Sequence, residues 1–274
     1  MVERELVESR SLAQRLVMAG QVRVNGEVVL KPATNILDEA RIEIEKGPPF
    51  VSRGGEKLAA ALQAFGIDVR GLTCADVGAS TGGFTDCLLQ NGAVRIYAID
   101  VGKGILHWKL RQDRRVVVME EVNARYVDHL PEEVDLVTVD ASFISLKILL
   151  PVIQPWFRLG GHTALEEEAG GAGQVVALIK PQFEAGRAEA ARGDGVIRDS
   201  HIHHRVLHDV LGFAERQGYT VLGLMRSPLL GPKGNVEFLT WLVLPTGNPR
   251  FPKSNTLEEL ILEVIPPPAR ESDS

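Results

Sequence analysis

Cysteine is almost missing from this 274-residue chain: only Cys74 and Cys87 occur, thirteen positions apart. The count is too small for a disulfide scaffold, and the spacing fits no common zinc or redox motif. A reduced, cytoplasmic setting is therefore expected, with no metal site. No apolar run is long enough to cross a bilayer; the richest stretch, 134–157, is broken by Asp135, Asp140 and Lys147. Met1 is followed by Val-Glu-Arg-Glu, so no secretory leader is expected. Positive charge is not in excess either. A net charge of −6 excludes a generally basic coat, and any nucleic-acid site must be a local patch. No internal repeat is visible. Hydrophobic residues make up 45% of the chain, enough for a sizeable core in one large domain plus a small one.

What is present changes pattern near residue 47. Residues 1–46 predict a small α+β unit. Ser11 to Ala19 places Leu12, Leu16 and Ala19 on one helical face and stops at Gly20. Val22 to Leu30 holds two β-prone runs across Asn25-Gly26, the pair that best tolerates the positive φ of a tight hairpin. Arg41 to Glu45 alternates like a further strand. Residues 47–55 read as a linker, because its prolines keep the chain extended and remove backbone donors. From 56 to 247, strands are expected at 72–77, 94–100, 115–119, 134–140, 174–180, 219–226 and 236–244. Helices are expected between them at 83–90, 104–111, 144–156 and 201–217, after a first one from Gly55 to Phe65. This alternation implies an α/β domain of Rossmann-like type, a parallel sheet with helices on both faces. The last two strands should form an antiparallel hairpin at its end. Residues 160–173 read as an acidic, glycine-rich loop, and 248–274 as a tail with one short apolar segment from Leu257 to Ile265.

The stretch Asp76-Val-Gly-Ala-Ser-Thr-Gly-Gly-Phe-Thr-Asp86 joins an expected strand to an expected helix. Ligands of open parallel sheets sit outside the carboxyl ends of the strands, at such turns. Asp76, Gly78, Ser80, Gly82, Gly83 and Phe84 are therefore candidate cofactor contacts, the glycines because a Cβ would collide with a closely held ligand. The spacing is not that of a dinucleotide site. Asp100, closing the next strand, can accept two ribose hydroxyls, and Asn123 follows the third strand where an adenine would lie. With Asp140, the set fits S-adenosylmethionine. A ligand-free tight turn is the plain alternative. Gly78-Ala-Ser80-Thr-Gly82 also matches the nucleophile elbow of serine hydrolases, but no late Asp-then-His pair accompanies it.

Four residues far apart in sequence can gather at that edge: Lys57, Asp140, Lys180 and Glu237. Methylation of a ribose hydroxyl needs that weak acid held in line with the methyl group, and a positioned base or cation helps. Lys180 ends an apolar strand, Asp140 ends another, Glu237 opens the last, and Lys57 lies on the first helix. Asp140 and Glu237 favour a protonated Lys180 and Lys57 disfavours it, so Lys180 reads either as a base or as a group that orients the hydroxyl.

Val51-Ser-Arg-Gly-Gly-Glu-Lys57, the Asp76–Asp86 stretch, Trp108-Lys-Leu-Arg-Gln112, Val139-Asp-Ala-Ser-Phe-Ile144 and Leu178-Ile-Lys-Pro-Gln-Phe-Glu184 together resemble the TlyA family, described both as hemolysins and as FtsJ-like ribosomal RNA 2′-O-methyltransferases. The resemblance runs to about residue 247. It implies an S4-type RNA-binding domain, begun here inside the module, followed by a Rossmann-like methyltransferase domain that uses S-adenosylmethionine. It implies cytidine methylation in ribosomal RNA of one or both subunits, with Lys57, Asp140, Lys180 and Glu237 at the catalytic tetrad positions. A monomer is the default.

Candidate RNA contacts are Arg10, Arg15, Arg23 and Lys31 in the small unit, where Glu27 is the one acidic residue between Arg10 and Lys31, and Arg53 in the linker. Such cations position RNA through phosphate without reading its sequence. His201, His203, His204 and His208 lack the flanking glutamate of a zinc-protease motif and read as solvated positions on a helix capped by Asp199 or Ser200. Two rival functions stand beside methyl transfer. One is a membrane-active hemolysin, for which no spanning segment or strongly basic amphipathic helix is visible. The other is a catalytically silent RNA-binding protein, against which the complete tetrad speaks.

Overall fold

A computed structural model of the chain describes residues 1–45, 47–157, 173–186, 189, 193–244 and 255–265. The expected acidic loop at 160–173 lies outside the described residues apart from Gly173, as does most of the expected tail. The chain separates into two compact units, Met1–Pro49 and Phe50–Ser274.

In the first unit, α1 (Arg10–Met18) starts at Ser9, whose hydroxyl accepts the Leu12 N–H and satisfies one of the free donors of the first turn. Three short antiparallel strands follow, β1 (Val22–Val24), β2 (Glu27–Val28) and β3 (Ile42–Ile44), in the order β2-β1-β3. Asn25 and Gly26 carry φ of 53° and 87°, the two positive values a tight hairpin with this sequence adopts. Arg4 donates to the carbonyl oxygens of Ala40 and Asp38 and pins the start of the chain to the approach to β3.

The second unit opens with α2 (Gly54–Phe65) and then builds a seven-stranded sheet from β4 (Thr73–Val77), β5 (Arg95–Ile99), β6 (Val116–Met119), β7 (Leu136–Val139), β8 (Gly173–Ile179), β9 (Thr220–Arg226) and β10 (Phe238–Leu244). Its order is β6-β5-β4-β7-β8-β10-β9. The first five strands are parallel; β10 runs antiparallel to both its neighbours, so the expected closing hairpin has its second strand inserted and β9 at the edge. Successive strand residues alternate between the two faces. Ala75, Val77, Tyr97, Ile99, Val137 and Val139 join one core, with α5 (Leu146–Ile153), α7 (Ser200–Arg216) and α8 (Leu257–Val264). Cys74, Ile96, Ala98 and Leu136 join the other, with α2, α3 (Gly83–Gln90) and α4 (Trp108–Arg111). A further short helix, α6 (Pro181–Glu184), follows β8. Both cysteines are buried thiols.

Three expectations change. The helix expected at 104–111 is reduced to 108–111, because the N–H groups of Gly104, Ile105 and Leu106 donate to the Glu120 carboxylate instead of entering a helix. The helix expected at 144–156 stops at Ile153 and tightens into a 3-10 turn at Gln154–Trp156. On α7, capped by Asp199 through the His201 N–H, His203 is not solvated. It is buried, its Nε2 donates to the Ile197 carbonyl oxygen at 3.0 Å, and burial pushes its pKa down. Among the described residues no helix is long and apolar enough to cross a membrane.

The sheet reverses its order at β4: β5 and β6 lie to one side, β7 and β8 to the other. The crevice beyond the carboxyl ends of β4 and β7 is thus the expected ligand position. Gly78 sits there with φ 81°, and a Cβ on it would lie 2.7 Å from the Asp140 carbonyl oxygen. Gly78→Ala should cost about 2 kcal/mol or more through backbone strain and this clash. Chemical denaturation would measure it, and an unchanged midpoint would contradict the packing.

Candidate active site

Two cavities open at that crevice. The first, about 310 Å³, is walled by Val77, Ile99, Ile105, Val122 and Leu149, with Asp100 and Asn123 among its few polar groups. The second, about 450 Å³, is polar and takes in Arg53, Lys57, Thr81, Lys180 and Lys233. Gly78, Ser80, Asp140 and Ser142 line both. An apolar chamber with a few placed polar groups is the usual form of a small-molecule site; the polar chamber beside it suits a charged substrate.

The turn between β4 and α3 is held from beneath by Asp76. Its carboxylate is fully buried and accepts the hydroxyls of Thr85 at 2.7 Å and Thr138 at 3.0 Å. Burial pushes its pKa up to about 6, against the pull of those hydroxyls, and the Asp140 charge pushes it further. Asp76 borders neither cavity and supports the turn from beneath. The glycines of the turn also admit close neighbours from within the protein. A Cβ on Gly82, φ 96°, would strike Leu110 and Leu106; on Gly83 it would strike Ser52 and the Gly55 backbone. They let α4 and α2 approach the turn. Gly83 and Phe84 still border the polar cavity.

Ser80, with φ 50°, presents its N–H to Asp100 Oδ2 at 2.8 Å, and Gly102 N–H reaches Asp100 Oδ1 at 2.7 Å. A carboxylate offers about four lone-pair positions, so Asp100 keeps acceptor capacity toward the apolar cavity after fixing both turns. Asn123 is exposed on that cavity wall, its Oδ1 accepting the Arg125 N–H. Glu120, which sequence reading missed, collects three N–H groups and the Arg111 guanidinium; Arg111 above all, then the Leu106 and Gly104 N–H groups, hold its pKa down at about 2. It shapes the loop that carries Ile105 into the apolar wall.

The four candidates for chemistry form two ion pairs rather than one cluster. Lys57 Nζ lies 2.6 Å from Glu237 Oε2, and Lys180 Nζ lies 2.7 Å from Asp140 Oδ1. Lys57, Lys180 and Glu237 are buried, and Asp140 half-buried. Lys180 also donates to Ser142 Oγ at 3.1 Å and stands 5.8 Å from the Phe183 ring centre. Glu237 Oε1 is buried with no hydrogen-bond partner among the described residues, directly under Gly231, where a Cβ would fall 2.0 Å from it. Beyond the sequence-derived set, Phe143 is 89% exposed with φ 64° and packs its ring on Phe183 at 4.8 Å. Its strained backbone in an Asp-Ala-Ser-Phe run carried no signal in the residue types alone.

Arg53 is exposed at the rim of the polar cavity. In the first unit Arg10, Arg15 and Lys31 are exposed, whereas Arg23 is engaged by the Glu45 carboxylate and the Gly26 carbonyl oxygen. Arg23 braces its own sheet and is the least available of the expected phosphate contacts.

Residues 50–244 match the family model of the FtsJ-like methyltransferases, and residues 1–42 match that of the S4 domain. The chain is 43% identical over 246 residues to the 16S/23S rRNA (cytidine-2′-O)-methyltransferase TlyA of Mycobacterium tuberculosis, covering 88% of this chain and 87% of that protein. It is 41% identical over 240 residues to hemolysin A of Brachyspira hyodysenteriae, covering 86% and 95%. The solved structure of a proposed hemolysin from Streptococcus thermophilus aligns with a TM-score of 0.69 at 42% identity, covering 94% of this chain and 90% of that one.

Asp76 yields a pH signature. Folding raises its pKa from the ordinary 3.8 to about 6. The folded state therefore gains from this group below about pH 4 and loses that gain as pH rises through 6. Asp76→Asn removes the loss, so its stability should match wild type near pH 4 and exceed it near pH 8 by at most about 3 kcal/mol, with the melting temperature rising accordingly. Thermal melts across that range check it; an asparagine variant that loses ground as pH rises would contradict the assignment.

Proposed function

The chain belongs to the FtsJ-like methyltransferase family, with an S4 domain ahead of the methyltransferase unit, and on that premise we propose that it methylates the ribose 2′-hydroxyl of cytidines in ribosomal RNA, using S-adenosylmethionine. The observation that carries the reading is the meeting of an apolar and a polar cavity at Gly78, Ser80, Asp140 and Ser142, with Lys180 at the junction.

The residues present fit the cofactor. The apolar chamber suits an adenosine end, and Asp100 retains acceptor sites for ribose hydroxyls after its two backbone bonds. Bound there, S-adenosylmethionine supplies an electrophilic methyl group on a sulfonium. The chain's own residues then have three tasks. Lys180, fixed by Asp140 and Ser142, holds the ribose hydroxyl by a charged hydrogen bond or, as the free amine, takes its proton. Lys57 lines the polar cavity and is held there by Glu237, whose other oxygen is buried beneath Gly231. Arg53 and Lys233, exposed on the polar cavity, serve phosphate. On the S4 unit, Arg10, Arg15 and Lys31 are the exposed cations offered to phosphate. The proposal includes ribosomal subunits as the working partners and a cytoplasmic monomer as the working form.

Tritiated methyl transfer to purified 30S and 50S subunits, followed by nucleoside analysis, tests the reading. The expected product is 2′-O-methylcytidine, with the label in an alkali-resistant dinucleotide because the blocked 2′-oxygen cannot attack the adjoining phosphate. Label on a base, or none on either subunit, overturns it.

A further inference from the structure

We infer that Glu184 is a positioning residue for the methyl-transfer step: its carboxylate laces the segment after β8 to the segment after β7 and so holds Lys180 against Asp140. The inference rests on the function proposed above.

Asp140 and Lys180 leave the ends of neighbouring parallel strands. The ladder between those strands stops at Val139 and Ala177, so beyond it no strand pairing sets the distance between the two side chains. Three side-chain contacts take over. Lys180 reaches Asp140 and Ser142, which is the reacting pair itself. Phe183 meets the exposed Phe143. Glu184 accepts the Ser145 hydroxyl through Oε2 at 2.5 Å and the Leu146 N–H through Oε1 at 2.8 Å. Of the last two, only Glu184 binds with both atoms of a charged group at a half-buried position, and charge-assisted bonds are the stronger kind.

Both ends of this lace are stiff. Ser145 is the N-cap of α5, its Oγ accepting the Lys147 N–H at 3.1 Å, and Leu146 is the first helical residue. Glu184 therefore fixes where α5 begins and how the chain from Asp140 to Ile144 runs into it. On the other side, Glu184 and Phe183 both donate their N–H groups to the Lys180 carbonyl oxygen, and Pro181 restricts the backbone between. A displacement of Glu184 is thus passed to Lys180 within one turn. Burial raises the pKa of the Glu184 carboxyl while its two donors favour the charged form, as for a carboxylate sited for its bonds rather than for water. A simple helix cap would supply stability to α5 and nothing to the lysine segment.

The two roles separate in hydrogen exchange combined with single-turnover methyl transfer. Glu184→Ala should raise exchange in both 140–146 and 180–184. It should also slow transfer by roughly tenfold or more, the scale of a small misplacement of reacting groups, with cofactor and RNA affinities unchanged. Glu184→Gln keeps an acceptor for Leu146 and can donate to Ser145, so it should restore both readouts. Exchange that rises only at the start of α5, with an unchanged transfer rate, overturns the inference and leaves a cap. Should Glu184→Ala fail to fold, Ser145→Ala removes one bond of the lace, and an effect absent from 180–184 overturns the inference equally. A wild-type protein that transfers no methyl group would defeat the proposed function, while exchange would still decide the lacing.

Discussion

Two lysine–carboxylate pairs, one buried and one half-buried, constrain the residues around them. Lys57 and Glu237 are 180 positions apart in sequence and 2.6 Å apart in space; Lys180 and Asp140 come from adjacent strand ends. A charge taken out of water is tolerated only with its partner in place, because removing either leaves the other uncompensated. The first pair therefore ties α2 to the residue immediately before β10, and the second links the ends of β7 and β8. A protein of net charge −6 in this way concentrates Arg53, Lys57, Lys180 and Lys233 around one cavity, where an RNA backbone can be drawn in without a basic surface elsewhere.

Carboxylates do much of the remaining work by receiving backbone N–H groups, in two cases beside a cation, as Glu120 is with Arg111 and Asp86 with Lys109. Asp100 holds Ser80 and Gly102, Glu120 holds Gly104 to Leu106, Asp86 holds Val51, and Glu184 holds Leu146. Each of these groups organises a loop that would otherwise carry unsatisfied donors. The loops at the sheet edge are consequently fixed from within the protein, so the site is organised in the chain as it stands. Asp76 is fully buried, held by the hydroxyls of Thr85 and Thr138 and by the Thr85 N–H, and that burial raises its pKa.

Most of the fold could be read from residue patterns because it depends on local periodicity. The alternating strands and the Asn25-Gly26 hairpin fall within a residue or two of their expected places. What escaped depends on partners distant in sequence. Nothing near Gly104 shows that Glu120 will take its N–H and shorten a helix. His203 is indistinguishable in type from its exposed neighbours His201 and His208 until the helix is packed. The sequence marks the glycines of the turn for the close approach of a ligand; the structure shows that they also make room for α2, α4 and Asp140. The four residues singled out for chemistry do lie at one sheet edge. Their division into two pairs, and the supporting contacts of Ser142 and Glu184, required three dimensions.

The central claim is that Lys180, set by Asp140 at the junction of the two cavities, acts on the ribose hydroxyl. The most direct test is the single-turnover rate of Lys180→Met with saturating cofactor and RNA, beside its cofactor affinity. The account predicts a loss of about a hundredfold or more, the scale of a removed proton-handling group, with cofactor affinity within a few-fold of wild type. A rate close to wild type would contradict it and shift the chemistry to the other pair.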